Sequence, residues 1–218
     1  MKIPDETSTV VLVGNWNPYI LMPEWVGKHI FGEEKITAEF LVGPALFFRF
    51  RARGAKIVTS QDKVTILADK TTEGSLREIG DLARKLLMKL PYTPIGAVGV
   101  NHAFVESCAG EDLLRLFDFG DKEKLPPETP VEHLEICRRL AGDGHRINMK
   151  ISKDQGSEDV RFDFNFHYQN GRDFSEQNDK ILKDGIVLDH FEFAKNLLIS
   201  QYGLQLEEDQ EEEDGTEH

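Results

Sequence analysis

Asp163, Asn165 and His167 alternate along Val160 to Tyr168, so an extended chain sets a carboxylate, an amide and an imidazole in one row. Such a row can bind a metal or move protons. It also has the spacing of a half-exposed strand, whose solvated face shows a polar residue at every second position. His102 follows the apolar run Val98 to Val100 at a strand end, where sites often gather. With Asp163, Asn165 and His167 it makes up a candidate polar cleft. Arg49, Arg51 and Arg53 repeat the period with one sign of charge, and Lys56 is close by. That basic row suits phosphates or a carboxylate-rich partner, and its plainer reading is a solvent face. Trp16, Pro18, Tyr19, Pro23 and Trp25 bring both tryptophans within ten residues. Aromatic segments of this kind anchor interfaces, although tryptophan is as often core. Trp16, Trp25, Arg49, Arg51 and Arg53 form the candidate interaction surface.

Other chemistries lack their spacing. Cys108 and Cys137 stand outside any C-x-x-C, so neither a structural zinc nor a disulfide framework is expected. No serine sits in G-x-S-x-G, and no G-x-G-x-x-G or G-K-[ST] accompanies Gly96 and Gly99. Asp189-His190 reads as a helix cap rather than a catalytic dyad. His29, His133 and His145 stand alone in the sequence. No catalytic residue, metal site or cofactor is expected.

Charge narrows the partners. The net charge is −13, yet eight of the 39 acids fall between Glu207 and His218, which holds no Lys or Arg. Such a run repels itself, so 207–218 is expected to be a disordered acidic tail. The body is then only mildly acidic, which argues against sequence-independent nucleic-acid binding. The first residues carry no apolar signal region and no apolar run reaches spanning length. The expectation is a cytoplasmic protein away from membranes.

The elements that must position these residues follow from hydrophobic period. Leu76, Ile79, Leu82, Ala83, Leu86, Leu87 and Leu90 share one helical stripe, opposite Arg77, Glu78, Asp81, Arg84, Lys85 and Lys89. Ser75 and Glu78 have capping-box spacing, and Pro91 ends the helix. Thr93 to Val100 reads as a strand covered on both faces. Before the helix, Val10 to Val13, Ile36 to Phe40, Leu46 to Arg53, Lys56 to Thr59 and Lys63 to Ala68 read as antiparallel strands, with a short helix at Pro23 to Ile30. After Phe104, Glu111 to Phe117 reads as a short helix, Gly120 to Pro130 as a linker, and Val131 to Leu140 leaves helix and strand open. Ile147 to Ile151 and Val160 to Tyr168 are strands, with turns at Asp154 to Ser157 and Asn170-Gly171. A last helix follows Asp189 as cap, with Gly203 at its end.

The fold class is therefore α+β, with antiparallel sheets each followed by a packed amphipathic helix. A-R-K-L-L-M from Ala83 aligns with A-K-N-L-L-I from Ala194, which suggests a duplicated strand–helix layout. The divisions are 1–119, a linker at 120–130, 131–206 and the tail at 207–218. Whether the halves share one sheet stays open.

The segment L-L-M-K-L-P-Y-T-P-I-G-A-V-G-V-N from Leu86, with G-I-V-L-D-H-F-E-F from Gly185, resembles a sporadically distributed family of uncharacterised bacterial proteins. In that family a helix ends in a leucine-proline step before a T-P strand, and a late strand runs into an aspartate and the closing helix. The resemblance implies a bacterial source and a fold, and carries no site. Two functions remain. The first is a non-enzymatic accessory or regulatory subunit that binds another protein, with self-association through edge strands. The second is a small-molecule-binding or enzymatic domain with a cleft between sheet and helices, walled by Phe162, Phe164 and Phe166. A large pocket with convergent polar groups would separate the second from the first.

Overall fold

Period-two alternation becomes nine strands of one antiparallel sheet. They are β1 (Thr9–Gly14), β2 (Thr37–Val42), β3 (Leu46–Ala52), β4 (Ala55–Thr59), β5 (Lys63–Ala68), β6 (Ile95–Glu106), β7 (His133–Ala141), β8 (Arg146–Asp154) and β9 (Val160–Gln169). The structure is a computed structural model. It describes residues 1–33, 35–42, 46–120, 130–169 and 182–207, and the side chains of all of these except 40–42, 46 and 47. Residues 121–129 of the expected linker, the turn at Asn170-Gly171 and the tail from 208 onward lie outside the described residues. Glu207, the first residue assigned to the tail, donates its backbone N–H to the Met1 carbonyl at 3.0 Å.

The strand order is β2-β3-β4-β5-β1-β6-β9-β8-β7. The two meanders thus lie at the two ends, and β1 and β6 pair at the centre with Val10 opposite Val100. The ladder runs unbroken from one half of the chain to the other. Val131 to Leu140, open in the sequence, is the edge strand β7. Its alternation is blurred because an edge strand with one exposed flank needs few apolar residues.

The helices are α1 (Pro23–Val26), continued by a π turn at Gly27–Phe31, then α2 (Glu73–Lys89), α3 (Glu111–Leu114) and α4 (Ile186–Tyr202). Among the described residues none is long and apolar enough to cross a membrane. The α2 stripe is buried as its period requires, through Leu76, Ile79, Leu82, Ala83, Leu86 and Leu87. Its capping box lies three residues before the expected Ser75/Glu78 pair. Thr72 is the cap, accepting from the Ser75 amide at 3.2 Å, while the Ser75 hydroxyl accepts from the Thr72 amide at 2.9 Å. Thr72 has the extended backbone a cap needs, and Glu78 is engaged by Arg53 instead.

The start of α4 also differs from expectation. Gly185 takes φ 76° and the helix begins at Ile186, so Ile186 to Leu188 open its first turn rather than end a strand. Asp189 lies inside that turn and is not the cap. Burial of Ile186 and Val187 starts the helix early, without a side-chain cap. Val187 meets α2 at Gly80, where an added Cβ would stand 3.2 Å from Val187 Cγ2. The close approach of the two helices needs that glycine.

The helices cover one face of the sheet. The core between the layers holds Phe48, Phe50, Phe104, Phe162, Phe164 and Phe166, all 2% exposed or less. The Phe162, Phe164, Phe166 row is thus core, and the intervening Arg161, Asp163, Asn165 and His167 lie on the opposite face. No described helix covers that face.

Candidate ligand pocket

Strand alternation and a hairpin turn build the pocket. On β9, Phe166 and Tyr168 point toward the helix layer. On α4, His190 and Phe193 are three residues apart and share a face with Ile186 and Asp189. The β7–β8 connection brings the third wall. Gly142 donates to the His145 carbonyl at 3.0 Å, and Gly144 takes φ 70° in the tight turn. The His145 ring lies over Gly142 so closely that an added Cβ would collide with Nε2. Any side chain there would displace the imidazole. His145 Nδ1–H donates to the Asp143 carbonyl at 2.9 Å, which fixes the ring.

These parts line an open concavity of about 890 Å³ between the turn, β8, β9 and α4. Ile147, Phe166, Ile186 and Phe193 supply apolar wall, and Asp143, His145, Tyr168, Lys183, Asp189 and His190 supply polar groups. Phe166 stacks on His190 at 4.0 Å between ring centres and 5° between planes. His145 lies 5.0 Å from both Tyr168 and His190. Phe193 stands edge-on to Phe166 at 5.9 Å and remains 44% exposed.

Burial sets the protonation of this wall. Tyr168 and His190 Nε2 share a hydrogen bond of 2.6 Å. Desolvation pushes the Tyr168 phenol up to about 12, helped by the negative charge of Asp143 and Asp189. Desolvation also pushes His190 down to about 3, helped by His145, His102 and Lys183. At neutral pH the pair is an uncharged phenol beside an uncharged imidazole. Lys183 pairs with Asp189 at 3.5 Å at the mouth.

The sequence-predicted polar cleft divides between two faces of the sheet. His102 stands opposite Phe164 in register and points into the helix-side core, 1% exposed. There it packs against Phe166 and Phe191 and bonds Ser8 Oγ through Nδ1 at 3.1 Å. Burial drives it down to about 3, weakly opposed by the Val187 carbonyl, and Nε2 has no partner at bonding distance. Asp163, Asn165 and His167 lie on the open face. Asp163 is held by Arg161 at 2.8 Å and Lys150 at 3.8 Å. Asn165 is the middle of an amide chain: Asn148 donates to Asn165 at 2.9 Å, Asn165 to Asn101 at 2.7 Å and Asn101 to Thr9 at 2.9 Å. A depression of about 450 Å³ lies beside this row. His167 lies between Gly99 and Arg146 in register. A strand alternates its faces, so the His102 side chain lies on the far side from this row, although His102 also borders the depression.

The candidate interaction surface is also redistributed. Trp16 is 2% exposed and donates its indole N–H to the Leu12 carbonyl at 3.0 Å, so it is core. Its ring folds back over the sheet after β1, where an apolar layer receives it. Trp25 is half-buried beside His29. Arg49 pairs with Glu39 at 3.1 Å and Arg51 with Asp69 at 3.3 Å. Arg53 leaves the strand for the turn, with φ 54°, and binds Glu78 and the Phe31 carbonyl, each at 3.2 Å. The three guanidiniums therefore face acids of their own chain.

His145 and His190, read as solitary and as part of a cap, are the residues sequence reasoning missed. Their signals were Asp143-Gly144 as a hairpin turn and the helix period joining His190 to Phe193. Among the described residues no three His, Cys, Asp or Glu are grouped to hold a metal ion. The chain matches no family model, and no curated protein matches it.

Proposed function

We propose that this protein is a small-molecule-binding domain whose ligand occupies the pocket between the β7–β8 turn, β9 and α4. The observation that carries the reading is a cavity of about 890 Å³ with apolar walls and converging polar groups. Ligand sites are commonly concavities of this size and composition. Binding is favoured over proton-transfer catalysis. A general acid or base works best with a pKa near the operating pH, and Tyr168 and His190 are pushed to opposite extremes. Of the anchors chosen for the accessory-subunit reading, Trp16 is core, Trp25 is half-buried, and Arg49, Arg51 and Arg53 stay exposed in surface ion pairs. It retains the edge strands β2 and β7 as places for another chain or a second copy to pair.

The proposal includes a bacterial, cytoplasmic setting, which the family resemblance and the composition support. It also takes β1 to α2 and β6 to α4 as diverged copies. Both run strand, short helix, meander and long helix, and the aligned Ala83 and Ala194 are both fully buried. The test is a thermal-shift screen of a metabolite library against the native chain and Ala141→Trp, which places an indole at the pocket mouth. Hits that stabilise the native chain and lose their effect in the folded variant are expected. Hits unaffected by the indole would overturn the site.

A further inference from the structure

We propose that the ligand of this pocket is a small organic cation of the alkylated-ammonium class, seated against Phe193 and His145 and balanced by Asp143 and Asp189. The inference rests on the pocket being a ligand site and adds the sign of the ligand's charge.

Three observations on separate elements converge. The first is an aromatic wall: Phe166, Tyr168, His145, His190 and Phe193 cluster within 4.0–5.9 Å of ring neighbours. Phe193 keeps 44% of its surface uncovered at the pocket wall. Ring faces carry negative charge density and attract cations, most strongly where water is excluded. The second is the charge balance of the lining. Asp143 and Asp189 come from the turn and from α4, and Lys183 is the one lysine or arginine among the lining residues. The field of both carboxylates reaches the interior, since both raise the Tyr168 phenol. The third is that the inner wall carries no opposing charge. Tyr168 keeps its proton and His190 stays neutral at physiological pH, so neither repels a cation.

An anion fares worse on the same residues. The uncapped start of α4 would attract one, but Asp189 already occupies that first turn and Asp143 also lines the pocket. Lys183 is committed to Asp189 at 3.5 Å. It acts as the resident cation that a ligand ammonium would displace from the carboxylate. A neutral ligand would use the rings and leave Asp143 without a role in binding.

Calorimetric titration of the full chain with choline and with its uncharged isostere 3,3-dimethylbutan-1-ol tests the charge alone. Choline is expected to bind about tenfold more tightly, with a preference that shrinks as salt is raised. Asp143→Asn with Asp189→Asn should remove the preference and leave the weak binding of the alcohol. Lys183→Ala should tighten choline. Phosphatidylcholine vesicles are the third probe, and their cosedimentation without binding of free choline would overturn the small-ligand form of the proposal. Equal binding of choline and the alcohol, or tighter binding of acetate, would overturn the cation and leave the pocket reading standing. If neither probe binds while the metabolite screen returns pocket-dependent neutral or anionic hits, the cation is again overturned. If the screen is also empty, both readings fall.

Discussion

The two ends of the helix side are filled differently. Toward β3 and β4, the connection after β1 supplies Trp16, Leu21, Val26, Ile30 and Phe31, all 2% exposed or less, to a core shared with Phe48 and Phe50. Toward β8 and β9, Phe164 and Phe166 are equally buried, but above them stand His145, Tyr168, His190 and a half-exposed Phe193 around about 890 Å³ of space. The hydrocarbon-lined end stabilises. The end whose wall carries nitrogen and oxygen is the one to which the proposed ligand is assigned.

If that contrast is right, the largest effect belongs to the filled end. Trp16→Ala is expected to cost about 3–5 kcal/mol in denaturant unfolding and to leave the affinity of any pocket ligand unchanged in the protein that remains folded. A loss below about 1 kcal/mol would return Trp16 to the surface, where the sequence reading had it.

Acid should strike the open end next. His190 is held at about 3 in the folded protein against 6.5 in the open chain, so the unfolded chain binds more protons between those values. Stability is complete above pH 6.5 and falls as pH drops toward 3, by about 1.4 kcal/mol per pH unit for each such histidine. His102, also at about 3, adds to the slope. His190→Gln should flatten the acid limb by roughly one proton, measured by thermal melts across pH. An unchanged limb would mean that the imidazole is not buried as described.

Tyr168→Phe should be milder. It removes one hydrogen bond of 2.6 Å and leaves a buried imidazole nitrogen unpaired, a loss of about 1–3 kcal/mol. Ligand affinity should change as well, which distinguishes this position from Trp16. The smallest effect is expected on the uncovered face. Asn165→Ala breaks two exposed-side amide bonds, should cost about 1 kcal/mol and should leave pocket binding untouched. A large loss of binding there would move the site to the other face of the sheet.

The strands, the α2 stripe and the buried phenylalanine row were legible because burial imprints a period. Phe162, Phe164 and Phe166 alternate with polar residues, and among the described residues the helices cover only the phenylalanine face. The sheet's unity was not legible, because β1 and β6 pair across 90 residues and nothing local marks a partner. The cap at Thr72 was misplaced because Ser75 satisfies both roles by sequence, and only the extended backbone of Thr72 decides. The site was illegible for a different reason. His145, Tyr168 and His190 come from a turn, a strand and a helix, each carrying one functional group without its own motif. Conversely, the candidate polar cleft grouped His102 with Asp163, yet the register sends their side chains to opposite faces.

The central claim is that the helix-side pocket, and not the amide row opposite, holds the ligand. Amide and side-chain NMR shifts of the full chain, titrated with the strongest metabolite from the screen, test it directly. The account predicts the largest changes at His145, Tyr168, His190 and Phe193, with Asn101, Asn148 and Asn165 unmoved. Changes centred on those three asparagines and Asp163, with the four aromatic residues still, would contradict it.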